Sequence, residues 1–182
     1  MTDDELFARY RQSNEPALLD ELVRRNIDRV YRFVASMIGR SMFAGGDAVD
    51  DLVQDVLLNV VRNIAQFRGE SAFSTWIYRI ASNRVHRYLE KECQSVPTVE
   101  SEHLEAVADK KRDTPESNEL KRLIDVAIAE LSPALRAAML LTTVEGLTPD
   151  EAAAVEGCTA ANIHWRVHKA RGILKEKLGK YL

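Results

Sequence analysis

The chain has 182 residues, of which 46% are apolar, and carries a net charge of −3. That is enough apolar material to bury one large core or two small ones, which excludes a disordered tail, and the helical spacing of the apolar residues predicts an all-α protein. No apolar run approaches the roughly 20 residues that span a bilayer, the acidic start MTDDELFARY lacks a signal-peptide pattern, and Cys93 and Cys158 form no CxxC pair, so a cytoplasmic protein with free thiols and no membrane insertion is expected.

The first predicted helix spans residues 16–40, with Leu19, Leu22, Val23, Ile27, Val30, Val34 and Ile38 on one stripe, Pro16 near its start and Gly39 near its end. The loop SMFAGGDA follows. A second helix runs from about Ala48 to Ala65, with apolar residues at 52, 53, 56, 57, 60, 61 and 64. Its outer face holds Asp51, Gln54, Asp55 and Leu58, spaced i, i+3, i+4, i+7. Two carboxylates, an amide and a leucine suit docking of a basic partner helix. Acid–base catalysis would need a third group converging on the pair, and no histidine or metal-binding pattern lies near in sequence.

The segment QFRGESAF breaks the second helix, and a third begins near Ser74 and continues to about Lys91. Phe73, Trp76, Ile77, Ile80, Ala81, Tyr88 and Leu89 are expected to face largely inward. Arg79, Asn83 and Arg87 recur every fourth residue and form one ridge. Residues 62–91 hold six bases against two acids, interleaved with Phe67, Phe73, Trp76, Tyr78 and Tyr88. Cations among aromatics suit single-stranded nucleic acid, and the loop FRGES is a candidate pocket for a base taken out of the stack. The plainer reading puts most of these aromatics in the core.

Residues 93–117 change character: two prolines, six acids, three bases and little periodicity predict a flexible linker between domains at 1–92 and 118–182. The second domain opens with the amphipathic run LKRLIDVAIAEL, then a helix capped by Ser132 with Pro133 at its first turn, ending at Gly146. Thr148 and Glu151 predict a capping box for a short helix over 149–156, which stops at Gly157, and Thr159 caps a last helix running to about Leu178. A short helix, a turn and a longer basic helix form a helix-turn-helix, whose second helix enters the major groove. Ile163, Val167, Ala170 and Leu174 mark its inner stripe; at about 100° per residue, Trp165 lies nearly opposite. His164 and His168 have metal-ligand spacing but no evident third ligand, so DNA contact or plain surface is the expectation.

Two stretches together resemble a known family. DDLVQDVLLNVVRNIAQFRGESAFSTWIYRIASNRVHRYLEK is similar to region 2 of the extracytoplasmic-function sigma factors of bacterial RNA polymerase, and LSPALRAAMLLTTVEGLTPDEAAAVEGCTAANIHWRVHKARGILKEKL to their region 4. The resemblance implies a division of labour. Asp51, Gln54, Asp55 and Leu58 would hold the coiled-coil clamp of the β′ subunit of core RNA polymerase. Arg68, Gly69, Glu70 and Ser71, with Arg79, Asn83, Arg84 and Arg87, would melt and read the −10 element as single strand. Asn162, His164, Trp165, Arg166, His168, Lys169 and Arg171 would read the −35 element of promoter DNA as duplex, and region 4 would also contact the β flap. It further implies an anti-sigma factor as partner, no cofactor and no small-molecule substrate.

The chain departs from the family at Trp165, where a small residue is common, at His164, where Lys or Arg is common, and at Val60–Val61, where the usual VW becomes VV and is expected to be a change within the core. Two rival readings are a helix-turn-helix regulator, which predicts a stable dimer on palindromic sites but leaves FRGESAFSTW unexplained, and an interaction protein that mimics a sigma factor.

Overall fold

A computed structural model describes residues 1–39, 46–95 and 115–179; most of the expected linker, the loop at 40–45, and the side chains of Asp47 and Cys93 lie outside the described residues. The described residues form eight α-helices and no strand: α1 (Asp3–Ser13), α2 (Pro16–Ile38), α3 (Gly46–Asn63), α4 (Phe73–Ser95), α5 (Pro115–Ala129), α6 (Pro133–Met139), α7 (Pro149–Glu156) and α8 (Ala160–Leu178).

The helix α1 was not among the expected elements. Its start is a capping box: Glu5 N–H donates to Thr2 Oγ1 at 3.2 Å, and Thr2 N–H donates to Glu5 Oε2 at 2.8 Å. Leu6 and Phe7 are its buried residues. This helix re-aims α2. The buried face of α2 is Leu22, Asn26, Val30, Phe33, Val34, Met37 and Ile38, whereas Ile27 is exposed. The stripe is rotated relative to the expected one because Asn26 turns inward, its side-chain amide donating to Asp3 of α1 and to the Leu22 carbonyl, both at 2.9 Å. On α3 the core residues are Leu52, Val53, Val56 and Val60. Val61 is 43% exposed, which corrects the expectation that the VV pair is a core change: only Val60 is core.

A 3-10 turn (Ile64–Gln66) ends α3, and the loop to α4 follows. The helix expected from Ser132 to Gly146 is α6 followed by a wider π turn over Leu140–Val144, so its register shifts before the helix-turn-helix. Around that motif the local signals hold. Thr148 and Glu151 form the capping box, Gly157 takes φ +64° at the turn, a left-handed conformation that glycine adopts without strain, and Thr159 Oγ1 accepts from Asn162 N–H at 3.2 Å.

One hydrophobic core runs through both halves. It joins Leu22, Phe33, Val56, Ile77 and Tyr78 to Leu141, Ala152, Val155 and Ile163, because α4 packs directly on α7. A smaller core lies between α5, α6 and α8 and contains Ala127, Leu131, Leu135, Ala170 and Leu174. Arg136, buried on α6, ties the two halves. Its guanidinium donates to the carbonyls of Ile128 and Ala129 at the end of α5, of Leu131 just beyond it, and of Met37 near the end of α2. Burial pulls its pKa down, and the carbonyls occupy donors that would otherwise be stranded in the core. Gly39 sits at this junction, where a Cβ would meet Ala129 Cβ at 2.9 Å. A side chain there would push α2 away from α5.

Candidate nucleic-acid and polymerase interfaces

The expected polymerase face is on the outer side of α3. Asp51, Gln54 and Leu58 are exposed, and Leu58 shows 42% of its surface to solvent. Asp55 is half-buried, and its carboxylate accepts from Arg84 of α4. The fourth residue of the docking face is therefore an anchor between helices. The partner that anchors it comes from the set expected to read the −10 element.

The loop residues Arg68, Gly69, Glu70 and Ser71 are all exposed. Arg68 and Glu70 approach to 3.8 Å with about four-fifths of each side chain in solvent, so their pairing contributes little. On α4, Arg79, Asn83 and Arg87 are exposed along one ridge. Arg84 is not part of that ridge and turns toward Asp55. The aromatics of this basic region are mostly interior. Phe67 and Phe73 are buried, Trp76 and Tyr88 are half-buried, and the Phe67 ring lies 4.6 Å from Phe7 and 5.0 Å from Trp76. Tyr78 is also buried, 2% exposed, so it belongs to the core.

On α8, Asn162, His164, Trp165, His168, Lys169 and Arg171 are exposed, and the inner stripe is Ile163, Ala170 and Leu174 with Val167 half-buried. Trp165 points away from the core at 57% exposure, and Lys169 Nζ lies 4.8 Å over its ring. A cation on one face of the indole leaves the other face for a sugar or a thymine methyl. Arg166 is the exception among the expected reading residues. It is half-buried and donates to Glu156 of α7 at 3.2 Å.

Sequence reasoning missed Glu156. Its carboxylate side chain is 4% exposed and receives Ser82 Oγ at 2.5 Å, His86 Nε2 at 3.4 Å and the Arg166 guanidinium. Burial alone would raise its pKa; the bonds from His86 and Ser82 and the charges of His86 and Arg166 outweigh burial and hold it below the ordinary carboxylate range. Glu145 forms a second such contact. It accepts from Tyr78 Oη and lies 3.8 Å from Arg29 of α2. Burial, together with Glu145, pushes the Tyr78 phenol well up, so it remains a donor. Two acids of the second half are thus held by polar groups of the first. No local spacing signals them, because Arg29, Tyr78, Ser82 and His86 reach these acids only when the two halves pack together.

An exposed acidic and amide face, a basic loop and ridge after it, and a helix-turn-helix with its outer face open together fit a DNA-binding transcription protein. The family comparisons agree in position. The Sigma-70 region 2 model matches residues 22–93, and the Sigma-70 region 4 model matches residues 121–174. The chain is 31% identical to the ECF RNA polymerase sigma-E factor of Escherichia coli K12, over 98% of this chain and 95% of that one, and 30% identical to its namesake from Haemophilus influenzae, over 98% and 96%. Among solved structures it is similar to CnrH in complex with the cytosolic domain of CnrY (TM-score 0.70, 21% identity, 98% of this chain and 97% of that one). It is also similar to the sigma factor RpoE in complex with the anti-sigma factor NepR from Bartonella quintana (TM-score 0.68, 24% identity, 88% and 96%). The chain belongs to the extracytoplasmic-function sigma factors, promoter-specificity subunits of RNA polymerase.

Proposed function

We propose that the chain performs this role through three surfaces. Asp51, Gln54 and Leu58 on α3 dock the β′ clamp coiled coil of core polymerase, with Asp55 and Arg84 fixing α3 against α4. The loop from Arg68 to Ser71 and the ridge Arg79–Asn83–Arg87 take the −10 element as a melted strand. Asn162, His164, Trp165, His168, Lys169 and Arg171 on α8 read the −35 element in the major groove, while region 4 also touches the β flap. Residues 1–92 and 118–182 are the two working units. The protein acts by binding alone, in the cytoplasm, and the bond-forming chemistry stays with the polymerase.

The observation that carries this reading is the exposure, in one chain and in this order, of a carboxylate and amide face, a cationic ridge and the outer side of a helix-turn-helix. Phosphate contacts supply salt-dependent affinity and base contacts supply sequence preference; joining two modest sites raises their effective concentration for one another. The complex of RpoE with the anti-sigma factor NepR supports an anti-sigma factor as a further partner of this chain. The test is transcription in vitro from a promoter library with purified core polymerase. Starts that share paired −35 and −10 elements are expected; failure to bind core polymerase would overturn the reading.

A further inference from the structure

A cleft of about 880 Å³ opens between α1 and the loop that joins the 3-10 turn to α4. One wall is that loop, the candidate base-capturing segment. The other is α1, which lies outside the matched region 2 segment of residues 22–93. Asp4, Ala8, Arg11 and Gln12 line the cleft, and at spacings of four, seven and eight they share one side of α1. Phe7 and Phe67, both largely buried and with ring centroids 4.6 Å apart, form its apolar floor.

The α1 wall is fixed at both ends. Asp4 accepts from the Phe73 amide, the first residue of α4, at 2.7 Å. Arg11 Nη1 donates to the Arg68 carbonyl of the loop at 3.1 Å. Between these ties sits Ala8, whose small side chain leaves the cleft open. A guanidinium carries five N–H donors in a planar fork, so one bond to Arg68 leaves most of the fork available, and the neighbouring Gln12 amide adds both a donor and an acceptor. An apolar floor beneath forked hydrogen-bonding groups suits an unpaired nucleobase, and the volume falls in the range of small-ligand sites.

We propose that α1 is the second half of the base-capturing site, and that Arg11 and Gln12 select which base of the melted strand it accepts. This rests on the assignment of the loop to the melted −10 strand. The test uses the full chain with core polymerase and a promoter library randomised across the −10 element, reading base preference at each position from transcript counts. Arg11→Ala and Gln12→Ala should each relax preference at the same single position, by roughly fivefold or more, the low end for a bidentate side-chain contact to a base. Ala8→Phe, which fills the cleft from an exposed site, should abolish preference at that position and leave the −35 preference intact. If Arg11→Ala and Gln12→Ala match the unsubstituted chain everywhere while Ala8→Phe and Arg68→Ala change one position, the loop takes a base and α1 does not select it. If all four variants match it, the cleft takes no base, and the assignment of the loop fails as well. Preference is a ratio among competing promoters, so it stays readable if Arg11→Ala lowers total transcription through its tie to the loop.

Discussion

The two helices that carry the proposed DNA faces are built in opposite ways. α8 buries only Ile163, Ala170 and Leu174, and nearly everything on its outer side stands clear of the core. α4 is packed on several sides, by α1, α2, α3 and α7, and its exposed ridge is little more than Arg79, Asn83, Arg87 and Glu90. The difference separates recognition from folding in one helix and couples them in the other. A substitution on the outer face of α8 changes what is read; on most of α4 it also changes how the two halves meet.

The largest effect should come from breaking the α4–α7 contact. Glu156→Ala leaves Ser82, His86 and Arg166 facing a cavity without their shared acceptor, and truncating one member of a buried charged network costs about 3 kcal/mol or more. Urea unfolding should show this loss; a change below ~1 kcal/mol would mean that α4 and α7 do not depend on the acid. The same carboxylate predicts a pH dependence. Its folded pKa lies below the ordinary value of 4.5, so its stabilisation is fully present above that value and is lost as pH falls through the depressed one. The stability gap between the unsubstituted chain and Glu156→Gln should shrink as pH falls below about 4.5, checked by unfolding across that range.

Smaller effects belong to the ridge. Arg79→Ala and Arg87→Ala each remove one exposed cation. Each should lower the slope of log affinity against log salt by about one for promoter binding by the holoenzyme, while stability moves by no more than about 0.5 kcal/mol. A stability loss of several kcal/mol would place these arginines in the packing. The smallest folding effect is expected at Trp165. Trp165→Ser removes an exposed ring and its contact with Lys169, so unfolding should shift by less than about 1 kcal/mol, while the −35 preference read from a promoter library changes.

The same contrast explains what was legible in the sequence. α8 and the turn before it could be read locally: Thr148, Glu151, Gly157 and Thr159 are short-range signals, and a helix with one buried stripe reports its exposed side by periodicity. α4 could be read only in part. Arg79, Asn83 and Arg87 follow from spacing, but Tyr78 meets Glu145, 67 residues away, and Ser82 meets Glu156, 74 residues away, which no local pattern encodes. Arg84 and Arg166 look like their exposed neighbours until the acids at 55 and 156 are placed beside them. The start of α1 is as local a signal, since Thr2 and Glu5 carry the same capping pattern as Thr148 and Glu151 at α7.

Whether the two helices read two promoter elements in two forms of DNA is tested most directly by one library transcription experiment with core polymerase and the variants Asn83→Ala, at the uncharged exposed position of the α4 ridge, and Trp165→Ser. Asn83→Ala should weaken dependence on the −10 element and spare the −35 profile, while Trp165→Ser should alter the −35 profile and spare the −10. Both variants shifting the same element, or neither shifting any, would contradict that assignment.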